Sequence, residues 1–248
     1  MIKNTKNNSE IEKFSKIAKE WWDPAGKFKP LHKFNPCRID YIRKKIINHF
    51  AIISDNLKCL NNLNIIDIGC GGGLVSEPMA KLGASVTAID ASEKNIKIAQ
   101  AHAQESNLKI EYKASAIEEL PKKYHNKFDV VLALEIIEHV DDVSLFVSEL
   151  KKLVKKDGII FIATINRTIK SLLTAKIGAE YILRWLPIGT HDFKKFLKPY
   201  EIISMIEDER VNFNEISGFE YNLLKDEWRN SNNNDVNYIL SFVAKDRS

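Results

Sequence analysis

The chain has 248 residues, 44% of them apolar and 28% charged, and 37 Lys and Arg against 33 Asp and Glu leave a net charge of +4. That length suits one large domain or two small ones with a packed core, and the composition excludes a disordered, collagen-like or disulfide-rich chain. The charge excess is too small to argue for nucleic acid by itself and equally suits an anionic membrane surface.

Residues 1–9 are polar. Ile11, Phe14, Ile17, Ala18 and Trp21 then recur at helical spacing, and Asp23-Pro24-Ala25-Gly26 ends that helix. FKPLHKFNPCR (28–38) reads as a loop with two prolines. Residues 38–58 read as a second helix, with Ile39, Ile42, Ile46 and Ile47 on one face. From Leu63 onward strand-like and helix-like blocks alternate. Strands are expected at 64–68, 85–89, 109–113, 128–134 and 158–164, and helices at 74–82, 92–106 and 143–154. Two further strands are expected at 214–221 and 238–244, with a hairpin that puts one antiparallel strand at the sheet edge. This alternation predicts a doubly wound α/β sheet, and the continuous apolar runs fit strands covered on both faces.

Three cysteines, Cys37, Cys59 and Cys70, form neither a disulfide framework nor a metal-type spacing. A reducing compartment is expected. The first residues lack the apolar stretch of a secretory signal. No uncharged apolar run is long enough to cross a bilayer.

The chemistry begins where the first strand ends, in Asp67-Ile68-Gly69-Cys70-Gly71-Gly72-Gly73. Glycine is needed where a loop turns sharply and a ligand approaches the backbone closely, and ligands of open α/β sheets bind at the carboxyl ends of strands. The next strand ends in Asp90, whose carboxylate can accept both hydroxyls of a ribose. Dinucleotide sites want G-x-G-x-x-G and room for a pyrophosphate. Here the order is G-x-G-G-G, and Asp67 would repel a pyrophosphate. An acidic group beside the loop suits a cofactor with an ammonium and a sulfonium, which is S-adenosylmethionine. A glycine-only tight turn is the plain reading, and Asp67, Asp90 and the strand context together weigh against it.

IIDIGCGGG, AID ending at Asp90, and FDVVLALEIIEHV resemble the first, second and fourth-strand motifs of the class I methyltransferases. That likeness implies a seven-stranded, mostly parallel Rossmann-like sheet with one antiparallel edge strand. It also implies Leu134 near the cofactor and, from the segment 114–120, Ala116 and Ile117 near the adenine. Further segments are similar to one family, the ubiquinone-biosynthesis O-methyltransferases: WWDPAGKFKPLHKFNPCRIDYI (21–42), EIIEHV (135–140), TINRTIKS (164–171), GAEYIL (178–183) and GTHDFKKFLKP (189–199). The resemblance implies that Arg38 contacts the cofactor. Leu134 stands where family members often carry Met or Ser, so its contact is expected through backbone or packing. The implied organisation is an N-terminal helical cap over 1–60 and a methyltransferase domain over 61–248, with an insertion at 169–198. The implied substrates are a polyprenyl hydroxyphenol and the demethylated quinol, methylated in two steps; other enzymes of that pathway are possible partners, and nucleic acid is not expected.

A phenol with a pKa near 10 is mostly protonated at neutral pH, so a base or a metal must help it attack. Glu135, Glu138 and His139 follow the fourth strand. On a helical turn i, i+3 and i+4 share a face, so two carboxylates and an imidazole would converge beside the cofactor. Such a set suits Mg²⁺ or a similar divalent ion; helix capping and surface ion pairs would use the same residues. The resemblance implies a metal-assisted catechol methylation with Glu135, Glu138 and His139 as ligands and with Glu135 and His139 as catalytic groups; His139 as a metal-free base is the second role. Asn166 after the fifth strand, and His191 and Asp192 in GTHD, are candidates for the substrate side, the last two equally for a structural His–Asp bond. Trp22 and His32 belong to the cap, with packing as the expected role of Trp22.

Residues 169–188 carry a further pattern. On a helix Lys176, Glu180 and Arg184 form one stripe, and Leu172, Ala175, Ala179, Ile182, Leu183 and Leu186 form a broad opposite face flanked by Tyr181 and Trp185. That is the chemistry of a helix lying in the headgroup layer or of a lid packed on the sheet. The expected place of the protein is the cytoplasm, peripheral on the inner face of the cytoplasmic membrane.

Overall fold

The apolar runs of the sequence become strands covered on both faces. In the computed structural model, which describes residues 4–53, 57–173 and 193–245, they are β1 (Asn64–Ile68), β2 (Ser85–Asp90), β3 (Ile110–Ala114), β4 (Phe128–Leu134) and β5 (Val154–Ile165). All five run parallel. They continue into β8 (Asn237–Ala244), β6 (Val211–Asn222) and β7 (Glu227–Ser231) in the order β3-β2-β1-β4-β5-β8-β6-β7.

Alternate side chains of each strand serve opposite faces, as the pleat requires. Ile65, Val86, Val130, Leu132 and Phe161 pack with α2 (Lys29–His49), α3 (Ser76–Lys81) and α4 (Glu93–Glu105) through Ile42, Ile46, Met79 and Ile96. Ile66, Ile68, Val131, Ala133 and Ile160 pack on the other face with α5 (Val143–Leu153) and α6 (Pro199–Ile206) through Phe146, Leu150 and Ile202. This layering is the doubly wound sheet read from the sequence.

The sheet has eight strands rather than seven, and two of them run against the others: an antiparallel strand does form the edge, but it is β7, and β8, expected there, is interior. β8 lies between β5 and β6 and pairs antiparallel with both, while β7 is the edge and pairs only with β6. The sequence of β7, EWRNS, is polar. A strand with one neighbour, of which Trp228 alone packs inward against Phe34 and the core, shows no apolar alternation, so it reads as loop.

The other departure is at the N-terminus. α2 begins at Lys29, so the expected loop over 28–38 is helical, and it ends at His49 rather than 58. Pro30 sits in the first turn, where its missing N–H costs nothing. Pro36 lies inside the helix, where its missing N–H and the clash of its ring with the preceding turn together cost about 3 kcal/mol. Burial of Phe34, Asn35 and Arg38 around it, and a bond from Asn35 Nδ2 to the Leu74 carbonyl at 2.8 Å, hold the helix through that defect. The first helix, α1 (Asn8–Lys16), is capped by Asn7, whose side chain accepts from Glu10 N. It stops before Ala18–Glu20, which form a 3-10 turn.

Candidate active site

The glycine loop is zipped to the end of β2. Gly69 N and Cys70 N both donate to the Ile89 carbonyl, at 2.8 and 2.9 Å. Gly71 N donates to Asp90 Oδ2 at 2.9 Å, and Asp90 Oδ1 accepts from Ser92 N at 2.8 Å and Asn95 Nδ2 at 3.2 Å. Gly69 and Gly71 adopt φ of +73° and +54°, the left-handed region that disfavours a side chain. A Cβ on Gly69 would lie 2.6 Å from the Ile136 side chain, and one on Gly71 would lie 2.4 Å from the Trp21 ring. Asp67 is 3% exposed, and its Oδ2 accepts from Ser76 Oγ at 2.6 Å. Burial pushes Asp67 up to about 6, against the Ser76 bond and the Arg38 charge. Burial also raises Asp90, against its bonds from Ser92 and Gly71.

A cavity opens at the carboxyl ends of β1, β2 and β4. Arg38, Asp67, Gly69, Gly71, Asp90 and Leu134 all line it, as do Ala116 and Ile117 and the set Glu135, Glu138 and His139. Arg38 is buried on α2. Its Nε and Nη2 donate to Asn35 Oδ1, at 2.8 and 2.5 Å, and its Nη1 has no hydrogen-bond partner. Glu135 Oε1 stands 4.0 Å from that Nη1.

The three groups after β4 meet in this cavity by a route the spacing did not foresee. Glu135 takes φ +55°, and its N–H donates to the Ala163 carbonyl on β5 at 2.9 Å. Only Ile137–His139 then form a turn, and it is 3-10. The expected helical face of i, i+3 and i+4 does not form, because the chain leaves the strand through a left-handed residue. A non-glycine residue held there is strained, and such strain gathers at functional sites. Burial first, and the Glu138 charge second, push Glu135 up to about 7, while Arg38 and His139 pull it down. Glu138 is 5% exposed, and its Oε2 is buried without a hydrogen-bond partner. His139 Nδ1 lies 3.1 Å from Glu10 Oε2. That bond is the main reason Glu10 is pulled down to about 2.

As they stand, no three His, Cys, Asp or Glu side chains among the described residues are grouped to hold a metal ion. The donor set nevertheless fits one in kind. Two carboxylates share a cavity, one raises the pKa of the other, and an oxygen of Glu138 lacks any partner; hard divalent cations take oxygen ligands of this sort.

The other candidates fall elsewhere. Asn166 is buried, donates to the Asn234 carbonyl at 2.9 Å and keeps its Oδ1 unpartnered, in contact with the loop before β8 rather than among the cavity residues. His191 and Asp192 lie outside the described residues, as does 174–190 of the insertion. Trp22 Nε1 donates to the Gly72 carbonyl at 2.9 Å, and its ring stacks on His102 at 3.5 Å. His32 Nε2 lies 2.8 Å from the Trp21 carbonyl.

The N-terminal segment reaches further over the site than its local spacing indicates. Thr5 N and Oγ1 donate to the Glu118 carboxylate at 2.8 and 2.6 Å, and Asn7 Nδ2 donates to Asp141 Oδ1 at 2.6 Å. Trp21 stacks on Phe28 at 3.7 Å and donates Nε1 to Asn95 Oδ1 at 3.0 Å, over the glycine loop. Nothing in local spacing links these residues to the site. The adjacent Trp21 and Trp22 were the one signal, since two indoles in a polar segment imply a specific surface to cover.

A family model described as a methyltransferase domain matches residues 66–162. The ubiquinone biosynthesis O-methyltransferase of Pelagibacter ubique (strain HTCC1062) is 55% identical over 97% of this chain and 99% of its own. The protein of the same name from Caulobacter vibrioides is 50% identical over 96% of this chain and 94% of its own. Among solved structures, magnesium protoporphyrin IX methyltransferase from Synechocystis PCC 6803 with bound SAH aligns with a TM-score of 0.63 at 20% identity, covering 96% of this chain and 94% of that one. That last likeness concerns the fold alone. Identity above half over nearly the whole length does more: the chain belongs to the ubiquinone biosynthesis O-methyltransferases, a family of S-adenosylmethionine-dependent enzymes.

Proposed function

We propose that this enzyme methylates ring hydroxyls of prenylated catechols and quinols in two steps of ubiquinone synthesis, on a 2-polyprenyl-6-hydroxyphenol and on 3-demethylubiquinol. The observation that carries the reading is a single cavity lined by the glycine loop and Asp90 on one side and by Glu135, Glu138 and His139 on the other. Bound S-adenosylmethionine supplies an activated methyl group, which leaves its sulfonium by in-line displacement. The protein must therefore align the partners and free the attacking oxygen of its proton.

Asp90 accepts the ribose hydroxyls through lone pairs its three present donors leave over. Gly69 and Gly71 let the methionine part approach the backbone. Arg38, buried with a spare N–H, pairs with the carboxylate, and Asp67 lies on the ammonium side. Leu134, Ala116 and Ile117 give apolar walls. Glu135, Glu138 and His139 would hold a divalent cation such as Mg²⁺, which would supply Lewis-acid lowering of the pKa of the attacking hydroxyl. Without a cation, His139 takes the hydroxyl proton itself. Asn166, His191 and Asp192 are assigned to the substrate side on sequence position alone. Residues 1–60 serve as a cap over the transferase body of 61–248, a division supported by the contacts of Thr5 and Asn7 with residues 118 and 141.

No helix of the described residues is long and apolar enough to cross a membrane. Peripheral contact with the inner face of the cytoplasmic membrane through 169–188 is supported by the sequence pattern of that segment, which alternates charged and apolar residues at helical spacing, and by the exposure of Ile169 and Leu173 at its start. Transfer of labelled methyl to a short-tailed catechol tests the chemistry; preference for some other hydrophobic phenol or lipid would replace the substrate class. Co-sedimentation with anionic liposomes, lost when Leu183 and Trp185 are changed to Glu, tests the membrane contact. A wild type that never sediments makes the segment a lid.

A further inference from the structure

His139 is held from a point 129 residues away in the chain. Glu10, on α1, places Oε2 3.1 Å from Nδ1. An ionised carboxylate can only accept, so the ring nitrogen facing it carries a proton. In a neutral imidazole the lone pair is then on Nε2, which has no partner among the described residues. Phe14, one turn further along α1, meets the same ring edge-on, with centroids 5.1 Å apart and planes at 83°. One helix thus gives the imidazole both a hydrogen bond and a packing wall. Glu10 Oε1 also lies 3.7 Å from Lys195 Nζ, so the carboxylate joins α1, the turn after β4 and the turn Phe193–Lys195.

We infer that Glu10 is a positioning residue for methyl transfer: it holds His139 in the Nδ1-protonated tautomer, so that Nε2 offers its lone pair to the site. The inference rests on the reading of His139 as a site residue. It is indifferent to the exact role of that residue, because proton abstraction and cation binding both require a lone pair on the nitrogen that acts. In each case a carboxylate on the far nitrogen fixes the tautomer and the ring orientation. The plain competing account is that Glu10 only pins α1 to the body. Lys6, which pairs with Glu119, supplies the control, because it ties down the same segment without touching His139.

The experiment uses the full chain and a short-tailed catechol. It compares wild type with Glu10→Gln, Glu10→Ala, Lys6→Ala and His139→Asn. Turnover is measured together with ¹⁵N–¹H correlation spectra of histidine-labelled protein, in which His139 is assigned by its loss in His139→Asn. Glu10→Gln keeps the size of the side chain but removes its charge, and its amide can either accept from Nδ1–H or donate to Nδ1; Glu10→Ala removes the acceptor altogether. We expect ten- to hundred-fold lower kcat in both Glu10 variants, KM for catechol and cofactor within about threefold of wild type, and a His139 signal moved from the Nδ1-protonated pattern. Lys6→Ala should keep kcat within about threefold. Wild-type kcat or an unmoved His139 signal in Glu10→Ala, which leaves no acceptor at Nδ1, overturns the inference, as does an equal loss in Lys6→Ala. A fully active His139→Asn overturns instead the reading of His139 on which it rests.

Discussion

Gly71 donates its backbone N–H to Asp90 Oδ2 at 2.9 Å, so the glycine loop and the carboxylate that ends β2 form one unit before any ligand arrives. The same carboxylate receives Ser92 N and Asn95 Nδ2 on its other oxygen. The loop is therefore preorganised, and its ligand need not supply the energy to shape it.

Replacing Asp90 by Ala removes a charged acceptor worth about 1.5–3 kcal/mol. Affinity for S-adenosylmethionine in calorimetry should fall roughly ten- to hundred-fold. Asp90→Asn, which can still accept from Gly71, should lose less. Unchanged affinity in Asp90→Ala would remove this carboxylate from the cofactor site.

Gly71→Ala meets two penalties. An Ala in the left-handed region costs about 1–2 kcal/mol, and its Cβ would sit 2.4 Å from the Trp21 ring. Tm should drop by several degrees, since about 1 kcal/mol moves a chain of this size by about 2–4 °C, and cofactor affinity should weaken at least tenfold. A variant that melts and binds like wild type would mean that the loop adopts another path.

Asp67 ties stability to pH. Its folded pKa is raised from 3.8 to about 6 by burial, so the folded state holds the proton more tightly than the unfolded chain. The stabilisation it contributes is full below pH 3.8 and is lost as pH rises through 6. Asp67→Asn lacks that loss. Urea unfolding across pH 4–7 should make the variant progressively more stable relative to wild type, by up to about 3 kcal/mol. A difference independent of pH would show that Asp67 does not titrate in this range.

Chelation tests the carboxylate pair. EDTA should lower turnover and Mg²⁺ should restore it. Calorimetric titration should find a divalent-cation site that Glu138→Gln removes. Glu135→Gln and Glu138→Gln should each lower kcat far more than they lower cofactor affinity. Full activity in EDTA leaves His139 as the base.

The reach of the sequence differs from element to element. The alternation of apolar runs with helical spacing was enough for the doubly wound sheet, because burial on both faces leaves a local imprint on each strand. The glycine loop and Asp90 were legible for the same reason, since a sharp turn and a strand end are set by a few adjacent residues. The polar β7 left no such imprint, although it forms the edge beside β6, and β8 is interior because β5 and β6 pair along its two sides. α2 starts before Pro36 because Phe34, Asn35 and Arg38 are buried against the rest of the protein, an effect that propensity does not contain.

The sequence by itself determined which groups could carry the chemistry: the glycines, Asp67, Asp90 and the acidic pair with its histidine after β4. Tertiary structure alone decided how they are presented. Glu135 leaves the strand in the left-handed region, Arg38 is brought under the cavity with a free N–H, and Glu10 reaches His139 from 129 residues earlier in the chain. Residue types and turns follow from neighbours a few positions apart, whereas hydrogen bonds between residues 10 and 139 exist only once the core has fixed where both segments run.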